Sequence, residues 1–363
     1  MPHFTIIKES PDVHSFRASS VKGIFDIPST ETKKFELDFD FEPPPIWNIG
    51  LIYGSSGSGK TTIGEHIFGA ENILSSLEWS NICILDDFKP SLTVAEITDA
   101  LTSVGLSSAP LWLLPYNKLS NGQKFRADMA RIIMERDFVV VDEFTSVVDR
   151  IVAKSVCVAV AKYIKRTGKK VVMLSCHSDI IDWLCPDWTF DTNTLNLSCA
   201  ERRRPEIKVN IYQCTYKAFK PFSHFHYMSG AINISARCYL ITAFFDETEI
   251  EVGFFSSLSL VHFAKKNWQR GHRTVVKPDF QGLGIGNKMI EAVSEKIYQE
   301  NNTRFCAVTS SPALVKYRLK NAHKWIMKQA PAMKRPQGGG TMKTSQGRLT
   351  CSFEYIPESL RKN

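Results

Sequence analysis

Residues 54–62 combine glycine, serine, lysine and threonine in the pattern of a loop that wraps around phosphate groups. They match G-x-x-x-x-G-K-[ST] in full. Glycine lets backbone N–H groups approach a phosphate closely, and the start of a following helix adds partial positive charge. We expect Lys60 to reach the β- and γ-phosphates of a nucleotide and the Thr61 hydroxyl to bind Mg²⁺. The residues predicted to contact the nucleotide are Gly54, Ser55, Ser56, Gly57, Ser58, Gly59, Lys60, Thr61 and Thr62.

Two carboxylates follow an apolar run further along the chain. Residues 138–141 are phenylalanine and valines, and Asp142 and Glu143 come directly after them. Because a buried parallel strand delivers charged residues to its C-terminal end, we expect Asp142 to be the second Mg²⁺ partner. Glu143 is then placed to polarise the attacking water. The apolar run 170–174 predicts another buried strand, and His177 follows it.

The elements that position these residues can also be predicted. The apolar run 49–53 predicts a strand before the loop, and residues 60–68 predict a helix after it. Residues 119–123, Leu-Ser-Asn-Gly-Gln, precede a helical pattern of apolar residues up to position 135. Ser120 is the predicted N-cap of that helix.

This set of motifs, in this order, resembles the ATP-binding cassette (ABC) superfamily over about residues 20–195. The resemblance implies that residues 119–123 are the signature motif, 146–149 the D-loop and His177 the switch histidine. It implies ATP and Mg²⁺ as cofactors, with Glu143 and His177 catalytic. It also implies a homodimer through the ATPase domains, because the chain has one phosphate loop and one signature. The further ATP contacts implied are Ser120, Asn121, Gly122, Gln123 and Asp149.

Two departures from the family pattern concern the interval between the phosphate loop and the signature. No glutamine occurs from Thr62 to Ser120, so the Q-loop glutamine is missing. Asp86 or Asp87, after the apolar run 82–85, is the alternative candidate near Mg²⁺. The interval is also short, which predicts a reduced helical subdomain. Asn121 stands where the family commonly has glycine.

Length and composition favour two domains. The 363 residues are 43% apolar and 23% charged, as in ordinary globular proteins. We place the domain boundary between residues 200 and 201, next to a charged linker, 201–205. No apolar run reaches about 18 residues, so we expect no membrane partner. The nine cysteines form no C-x-x-C pair, and with no secretion signal we expect a cytoplasmic protein with reduced thiols.

Charge is divided unequally between the predicted domains. Residues 1–200 contain 19 Lys and Arg against 25 Asp and Glu, whereas residues 201–363 contain 26 against 12. The formal charges are therefore −6 and +14, and the basic half is the one expected to meet a polyanion. Residues 328–346 are rich in glycine, proline and lysine and predict a mobile loop.

A second glycine loop lies in the basic half, at residues 281–286. It has the form Gln-x-x-Gly-x-Gly, follows a short β-branched strand at 274–276, and precedes a predicted helix at 287–300. A G-x-G turn alone is weak, and a turn that only needs small residues is the alternative. The surrounding order predicts a hairpin of strands 236–245 and 250–257, and a later strand at 304–309.

This second pattern resembles motif A of the GNAT acetyltransferases, in which loop N–H groups and a helix N-terminus hold the diphosphate of acetyl-CoA. The resemblance implies acetyl-CoA, or a related acyl-CoA, as a cofactor. The implied contacts are Val276, Gln281, Gly282, Leu283, Gly284, Ile285 and Gly286.

Catalytic residues of this half are harder to choose. The resemblance implies that Tyr317, within residues 312–319, is the acid that protonates the departing thiolate, and a core residue is the alternative. Glu251 is either a base or an exposed strand carboxylate. His226, within the aromatic cluster 222–227, is a further candidate, because histidine is the side chain suited to acid–base chemistry near neutral pH. No second metal-binding group accompanies it, so we expect no metal there.

The whole chain resembles a prokaryotic and phage family of ABC-type ATPases fused to predicted acetyltransferases. The fold class expected is α/β, an ABC-type P-loop NTPase domain followed by a GNAT-like α+β acyltransferase domain. The favoured acceptor is an amine on a DNA or RNA base, which the basic half would bind. Protein or small-amine acetylation, and an ATP-gated binding protein with a non-catalytic GNAT module, are the alternatives. The aromatic residues that support nucleic-acid binding are Phe222, Phe225, Tyr227, Trp268 and Trp325.

Overall fold

The computed structural model describes residues 2–9, 15–26, 34–226, 230–245, 247–260, 267–333 and 349–361. The strands of this part of the chain are β1 (His3–Glu9), β2 (Lys34–Asp40), β3 (Ile49–Tyr53), β4 (Ile73–Leu74), β5 (Phe138–Val141), β6 (Lys170–Ser175), β7 (Trp188–Asp191), β8 (Asn196–Ser198), β9 (Val209–Cys214), β10 (Arg237–Phe245), β11 (Thr248–Ser259), β12 (Trp268–Val276), β13 (Arg304–Thr309), β14 (Trp325–Met333) and β15 (Leu349–Tyr355). Its α-helices are α1 (Phe16–Ile24), α2 (Lys60–Phe68), α3 (Val94–Ser103), α4 (Ala109–Trp112), α5 (Asn121–Glu135), α6 (Arg150–Thr167), α7 (Ile181–Leu184), α8 (Ile285–Asn301) and α9 (Pro312–Lys320).

The first half of the chain forms a six-stranded sheet in the order β4-β5-β6-β3-β7-β8. All neighbours are parallel except the edge strand β8. Both faces are covered, because Val139 and Val141 of β5 enter one core cluster and Val140 enters another. Helices α5 and α6 lie on the first face and α2 on the second. Because β3 pairs in parallel with β6 and β7, the C-terminal ends of these strands lie beside the phosphate loop that follows β3.

The second half forms a seven-stranded sheet in the order β14-β15-β13-β12-β11-β10-β9. Among the described strands of this sheet, β12 and β13 are the one parallel pair, and they pair over three positions, Trp268–Arg270 with Arg304–Cys306. Beyond that point the described register of β12 continues with β11 alone, up to Val276 opposite Gly253. The two parallel strands thus separate toward their C-terminal ends, where the second glycine loop and α8 begin.

The two halves share one hydrophobic core. The largest core cluster contains residues of α5 and α6 together with residues of β10, β11 and α8. Trp183 of α7 stacks on Phe245 of β10 with ring centroids 5.7 Å apart, and Phe245 lies 5.3 Å from Phe280. The last strand of the first half ends at Ser198 and the next begins at Val209, so the predicted boundary lies in this interval.

Most predicted elements are confirmed by the structure. The helix at 60–68, the strands at 49–53 and 304–309, and the hairpin all form where the patterns indicated. The predicted mobile loop is wrong in part, because residues 328–333 belong to strand β14, which pairs with β15. Residues 334–346 of that prediction lie outside the described residues. None of the described helices has the length and hydropathy needed to cross a bilayer.

Candidate functional site

The phosphate loop connects β3 to α2 and is open where a phosphate would approach. Gly57 and Gly59 have φ of +79° and +87°, a region that L side chains rarely adopt. Gly59 is the N-cap of α2 and no side chain caps this helix, so its first N–H groups are available. A Cβ added to Gly57 would meet no atom within 4 Å. The loop therefore has both the donors and the space for an anion.

Lys60 lies within the phosphate loop, and the two residues predicted to hold Mg²⁺, Thr61 and Asp142 (the magnesium pair), are hydrogen-bonded to each other. The Lys60 ammonium donates to the carbonyl oxygens of Gly54 at 3.0 Å and Ser55 at 2.6 Å, so it lies within the loop. The Thr61 hydroxyl donates to a carboxylate oxygen of Asp142 at 3.0 Å. A hydroxyl and a carboxylate this close fit a shared Mg²⁺, which prefers oxygen ligands.

Two residues that the sequence analysis did not select brace the phosphate loop. Thr192 and Asn193 follow β7, which pairs with β3. The hydroxyls of Thr192 and Ser58 lie 2.5 Å apart, and the Asn193 amide oxygen accepts from the Ser55 hydroxyl at 2.9 Å. The signal that would have found them is their place after the strand beside β3.

Glu143 and His177 lie at the C-terminal ends of β5 and β6. The Glu143 backbone has φ of +50°, its N–H donates to Asp142 at 2.8 Å, and its side chain is exposed. Burial lowers the pKa of His177, and the guanidinium of Arg150 lowers it further. His177 follows Ser175 by two positions, and the Ser175 carbonyl accepts from the Gly54 N–H at 3.3 Å. His177 therefore follows, by two residues, a backbone carbonyl that is bonded to the phosphate loop, and its lowered pKa favours the neutral imidazole.

The predicted signature and D-loop residues begin two neighbouring helices. Ser120 caps α5 in a capping box with Gln123, whose amide oxygen accepts from the Ser120 N–H at 3.0 Å. Asp149 caps α6 by accepting from the backbone N–H groups of Ile151 at 3.1 Å and Val152 at 3.0 Å. A Cβ on Gly122 would lie 3.3 Å from Val152, so the first turns of the helices are packed together. Both caps, Ser120 and Asp149, are exposed.

Asp87, suggested as a replacement for the missing Q-loop glutamine, is not the residue hydrogen-bonded to Asp142; the end of β4 is. The Asp142 N–H donates to the carbonyl of Leu74, the last residue of β4, at 3.0 Å. Two serines follow Leu74 at positions 75–76, so they are the residues that leave the sheet at this point. Asp87 instead accepts from the backbone N–H of Ser80 at 2.9 Å. Nothing in its described contacts connects it to the magnesium pair.

The second glycine loop leads into α8 as the phosphate loop leads into α2. Gly284 is the N-cap of α8 with φ of +86°, no side chain caps the helix, and a Cβ there would meet nothing within 4 Å. A Cβ on Gly286 would lie 3.5 Å from Val276. Val276, Gly284 and Gly286 are therefore brought together at the point where β12 and β13 separate, and the free N–H groups suit a diphosphate.

Gln281 and Gly282 of the same loop face the first half of the chain. The Gln281 amide oxygen accepts from the Ser107 hydroxyl at 2.5 Å, and its amide nitrogen donates to the Val276 carbonyl at 3.0 Å. A Cβ on Gly282 would come within 2.7 Å of the Cβ of Ala159. The two other predicted contacts, Leu283 and Ile285, have buried side chains in the shared core. Only the backbone of those two residues can reach a cofactor.

Tyr317 has a hydrogen-bond partner inside the second half. Its hydroxyl donates to Glu291 of α8 at 2.9 Å, and the same carboxylate accepts from Lys324 and Trp325. Burial, with Glu291 beside it, raises the pKa of Tyr317 to about 12. The hydroxyl therefore stays protonated at neutral pH, and its contact supports the core alternative.

The other candidate catalytic residues have different surroundings. Glu251 of β11 lies opposite Thr242 of β10 and is exposed. The His226 ring is half-buried and meets Phe219 edge-on, with centroids 6.4 Å apart. Among the described residues, no group of three or more His, Cys, Asp or Glu side chains is arranged to hold a metal ion.

The aromatic residues proposed for stacking on bases are less accessible than the sequence suggested. Phe222 and Trp325 are buried in the core, which corrects their assignment to a binding surface. Phe225 and Trp268 are half-buried, and the guanidinium of Arg304 lies 5.4 Å from the Trp268 ring. Tyr227 lies outside the described residues. The positive charge of this half still supports binding of a polyanion, but most of these aromatic rings are not available to stack on bases.

Comparison with known proteins finds no matching family model and no matching curated protein. Among solved structures, cbiO1 from Clostridium perfringens, part of the ABC transporter complex cbiONQ, is 18% identical, with 43% of this chain and 76% of that chain covered and a TM-score of 0.35. A dimeric bacterial ABC transporter cassette, MJ0796, is 12% identical, with 45% and 88% covered and a TM-score of 0.34. A chimera of the spermidine N-acetyltransferase SpeG from Vibrio cholerae is 10% identical, with 42% and 96% covered and a TM-score of 0.31.

The described residues form a mainly parallel six-stranded sheet that carries the phosphate loop, followed by a seven-stranded mixed sheet with the parallel pair β12 and β13. This topology confirms the predicted α/β class, and the solved structures, with TM-scores of 0.31 to 0.35, are similar to the chain without adding weight to that conclusion. The identities are low, so the similarity concerns the fold alone. Nucleotide, acyl-CoA and catalytic contacts of individual residues stay predictions.

Proposed function

We propose that this chain is an ATP-gated N-acyltransferase that acts as a homodimer. The observation that carries the proposal is the repetition of one arrangement. In each half a strand leads through a glycine turn into a helix whose N-terminus no side chain caps. Each arrangement suits a phosphate-bearing ligand, ATP in the first half and acyl-CoA in the second.

The ATPase half has the groups that phosphoryl transfer requires. Lys60 would neutralise charge on the β- and γ-phosphates, and Thr61 with Asp142 would hold Mg²⁺. The bound ion would supply the positive charge that stabilises the transferred phosphoryl group. Glu143, exposed at the end of β5, would polarise the attacking water. The neutral His177 would accept a hydrogen bond or proton nearby.

Dimer formation would complete the ATP site. The caps of α5 and α6 are exposed side by side, and the N-terminus of α5, which is capped by the neutral Ser120, suits contact with a γ-phosphate. With one phosphate loop and one signature per chain, a second protomer is needed to bring Ser120 and a bound nucleotide together. We therefore propose that ATP holds two chains together through these helices.

The second half would bind acyl-CoA through the backbone of Gly284 and Gly286. An amine acceptor would attack the thioester carbonyl, forming an amide and releasing CoA as a thiol. The amine must lose a proton, and we propose His226 or Glu251 as its acceptor. Tyr317 already donates to Glu291, so its role would be to hold α9 against α8.

For the acceptor we favour an amine on a nucleic-acid base. The +14 formal charge of residues 201–363 supports a polyanionic substrate. Part of that charge would serve the phosphates of CoA. The buried positions of Phe222 and Trp325 mean that base stacking adds less support than charge.

Two experiments test the proposal in order. If acetyl-CoA binds, a concentration 100 times its dissociation constant stabilises the native state by about 2.7 kcal/mol. The midpoint temperature of thermal unfolding must then rise. Purified protein with ATP and labelled acetyl-CoA is then given DNA, RNA, protein and polyamines separately. Label on DNA or RNA supports the proposal, and label confined to protein or polyamines rejects the nucleic-acid acceptor.

A second candidate is an ATP-gated binding protein whose GNAT fold does not catalyse transfer. The observation that favours it is that Tyr317 and the amide of Gln281 are already engaged inside the protein. This candidate predicts thermal stabilisation by acetyl-CoA without label in any acceptor pool.

A further inference from the structure

A buried guanidinium joins the two halves at the second glycine loop. Arg126 of α5 is only 2% exposed. Within the first half it donates to the Val104 carbonyl at 2.6 Å and the Ser155 hydroxyl at 3.0 Å. Across the interface it donates to the carbonyl oxygens of Asp279 at 2.9 Å and Gln281 at 3.3 Å. One side chain therefore connects two ATPase segments to the backbone just before and within the loop.

The packing around this guanidinium leaves little room for other arrangements. A Cβ on Gly105 would lie 2.0 Å from an Arg126 nitrogen and 2.5 Å from the Gln281 carbonyl oxygen. A Cβ on Gly282 would lie 2.7 Å from the Cβ of Ala159 of α6, which is also too close for a side chain. Ser155 of α6 also donates a hydrogen bond to the Asp279 carbonyl. Residues 279–282 are thus clamped between α5, α6 and the turn after α3.

The charge makes this clamp specific. A buried guanidinium that loses its acceptors is left as an uncompensated charge, which is strongly unfavourable. Burial lowers the pKa of Arg126 to about 10, so it stays protonated at neutral pH and needs those acceptors. A shift of α5 therefore has to carry the carbonyl groups of residues 279 and 281 along or break their hydrogen bonds.

The two clamping helices are also the two that begin at the proposed ATP contact. Arg126 follows the α5 cap Ser120 by six residues, and Ser155 follows the α6 cap Asp149 by six residues. At 1.5 Å per residue each separation is about 9 Å along a helix. The ends of both helices that would face a partner's nucleotide are therefore less than two helical turns from Arg126 and Ser155, the residues that contact the second glycine loop.

We infer that Arg126 is a positioning residue that couples ATP binding to the affinity of the second glycine loop for acyl-CoA. The inference rests on the proposed function and adds the route by which the ATPase acts on the transferase. ATP-dependent pairing of two chains loads the N-termini of α5 and α6. Arg126 and Ser155 transmit the resulting displacement to residues 279–282, which shape the start of α8.

The test measures linkage, which a merely structural role leaves unchanged. Acetyl-CoA is titrated into the full chain carrying Glu143→Gln, with and without ATP, by calorimetry. We expect ATP to change the dissociation constant at least about fivefold in either direction, the lower end of typical coupling between sites. Adding Arg126→Lys should reduce the factor below about two. Any other pattern, including a factor below five without Arg126→Lys, overturns the inference.

Arg131→Lys is the matched control. It is the same substitution on the same helix, but Arg131 bonds to Glu135 and to the Glu78 carbonyl, both within the ATPase half. It should leave the coupling factor within about twofold of its starting value. Equal losses from Arg126→Lys and Arg131→Lys would overturn the specific role of Arg126.

A second variant and a second readout keep the test decisive. If Arg126→Lys does not fold, Ser155→Ala removes a smaller part of the clamp and should also reduce the factor below about two; an unchanged factor overturns the inference. If acetyl-CoA does not bind at all, the proposed function fails. Hydrogen exchange of amides 279–284 then tests coupling alone. ATP should change their exchange at least about fivefold, and unchanged exchange overturns the inference.

Discussion

The two glycine loops have the same local geometry but different supports. Gly59 and Gly284 are both helix N-caps with φ near +86°, and neither α2 nor α8 has a side-chain cap. The phosphate loop is braced by Thr192 and Asn193 from its own half. The second loop is held by Arg126 and Ser107 from the other half.

The phosphate loop is therefore supported by its own half of the chain, whereas the second glycine loop depends on contacts with the other half. The phosphate loop is held by contacts within its own half, because Thr192 and Asn193 follow an adjacent strand of the same sheet. The second loop takes its shape from hydrogen bonds and close packing across the domain interface. Changes in the ATPase half should therefore reach the second loop, while local damage at the phosphate loop should stay local when no ATP is present.

The largest expected effect comes from Glu143→Gln, which keeps both loops intact while stopping hydrolysis. Removing a general base lowers the rate of hydrolysis about 10²- to 10⁴-fold. ATP should then stay bound and hold two chains together, so the molar mass measured by light scattering should double from the 41.0 kDa of one chain. A chain that remains monomeric with saturating ATP would contradict the shared ATP site.

Gly282→Ala against Gly284→Ala compares the clamped and open parts of one loop. Both residues have φ of +86°, so each substitution incurs about 1–2 kcal/mol of left-handed strain. Gly282→Ala adds about 1–3 kcal/mol of overpacking against Ala159, whereas the space at Gly284 is open. Chemical denaturation should show the larger loss of unfolding free energy for Gly282→Ala. Equal losses would mean that the interface does not clamp the loop.

Lys60→Ala tests whether damage at the phosphate loop stays local. Loss of a charged hydrogen bond of about 1.5–3 kcal/mol weakens ATP binding about 10- to 150-fold. Acetyl-CoA affinity without ATP should change less than about twofold in the same calorimetric assay. Lys170→Ala is the control. Lys170 begins β6, whereas the phosphate loop contacts Ser175 at the end of that strand, so this change should leave ATP affinity unchanged. Weaker acetyl-CoA binding by Lys60→Ala in the absence of ATP would contradict the claim that damage at the phosphate loop stays local.

The smallest expected effect belongs to Tyr317→Phe. It removes the hydrogen bond to Glu291, worth about 0.5–1.5 kcal/mol of stability. Acyl transfer should change less than about threefold, since we assign Tyr317 to packing between α8 and α9. A fall of about 10²-fold or more at unchanged acetyl-CoA affinity would instead identify Tyr317 as the general acid.

What could be predicted from sequence was local. Ser120 as the cap of α5 and the helix after Lys60 depend on neighbouring residues, and both form as predicted. Hairpin and strand positions in the second half also follow their own patterns. The loop predicted at 328–333 failed because pairing with β15 overrides its composition.

Cross-domain contacts could not be predicted in the same way. Arg126 lies on the buried face of α5 with Met129 and Ile133, and a charge on an apolar face was the only signal. Nothing in the local pattern says that its acceptors come from Asp279 and Gln281, more than 150 residues away. The same limit applies to Phe222 and Trp325, whose burial depends on tertiary packing.

The central claim is that ATP gates acyl transfer by this chain. The direct measurement is the initial rate of labelled acyl incorporation into the acceptor pool that reacts, with and without ATP, in the wild type and in Lys60→Ala. The account predicts rapid labelling only for the wild type with ATP, and a slow rate in the other three reactions. Equal labelling with and without ATP, or no labelling of any pool, would contradict it.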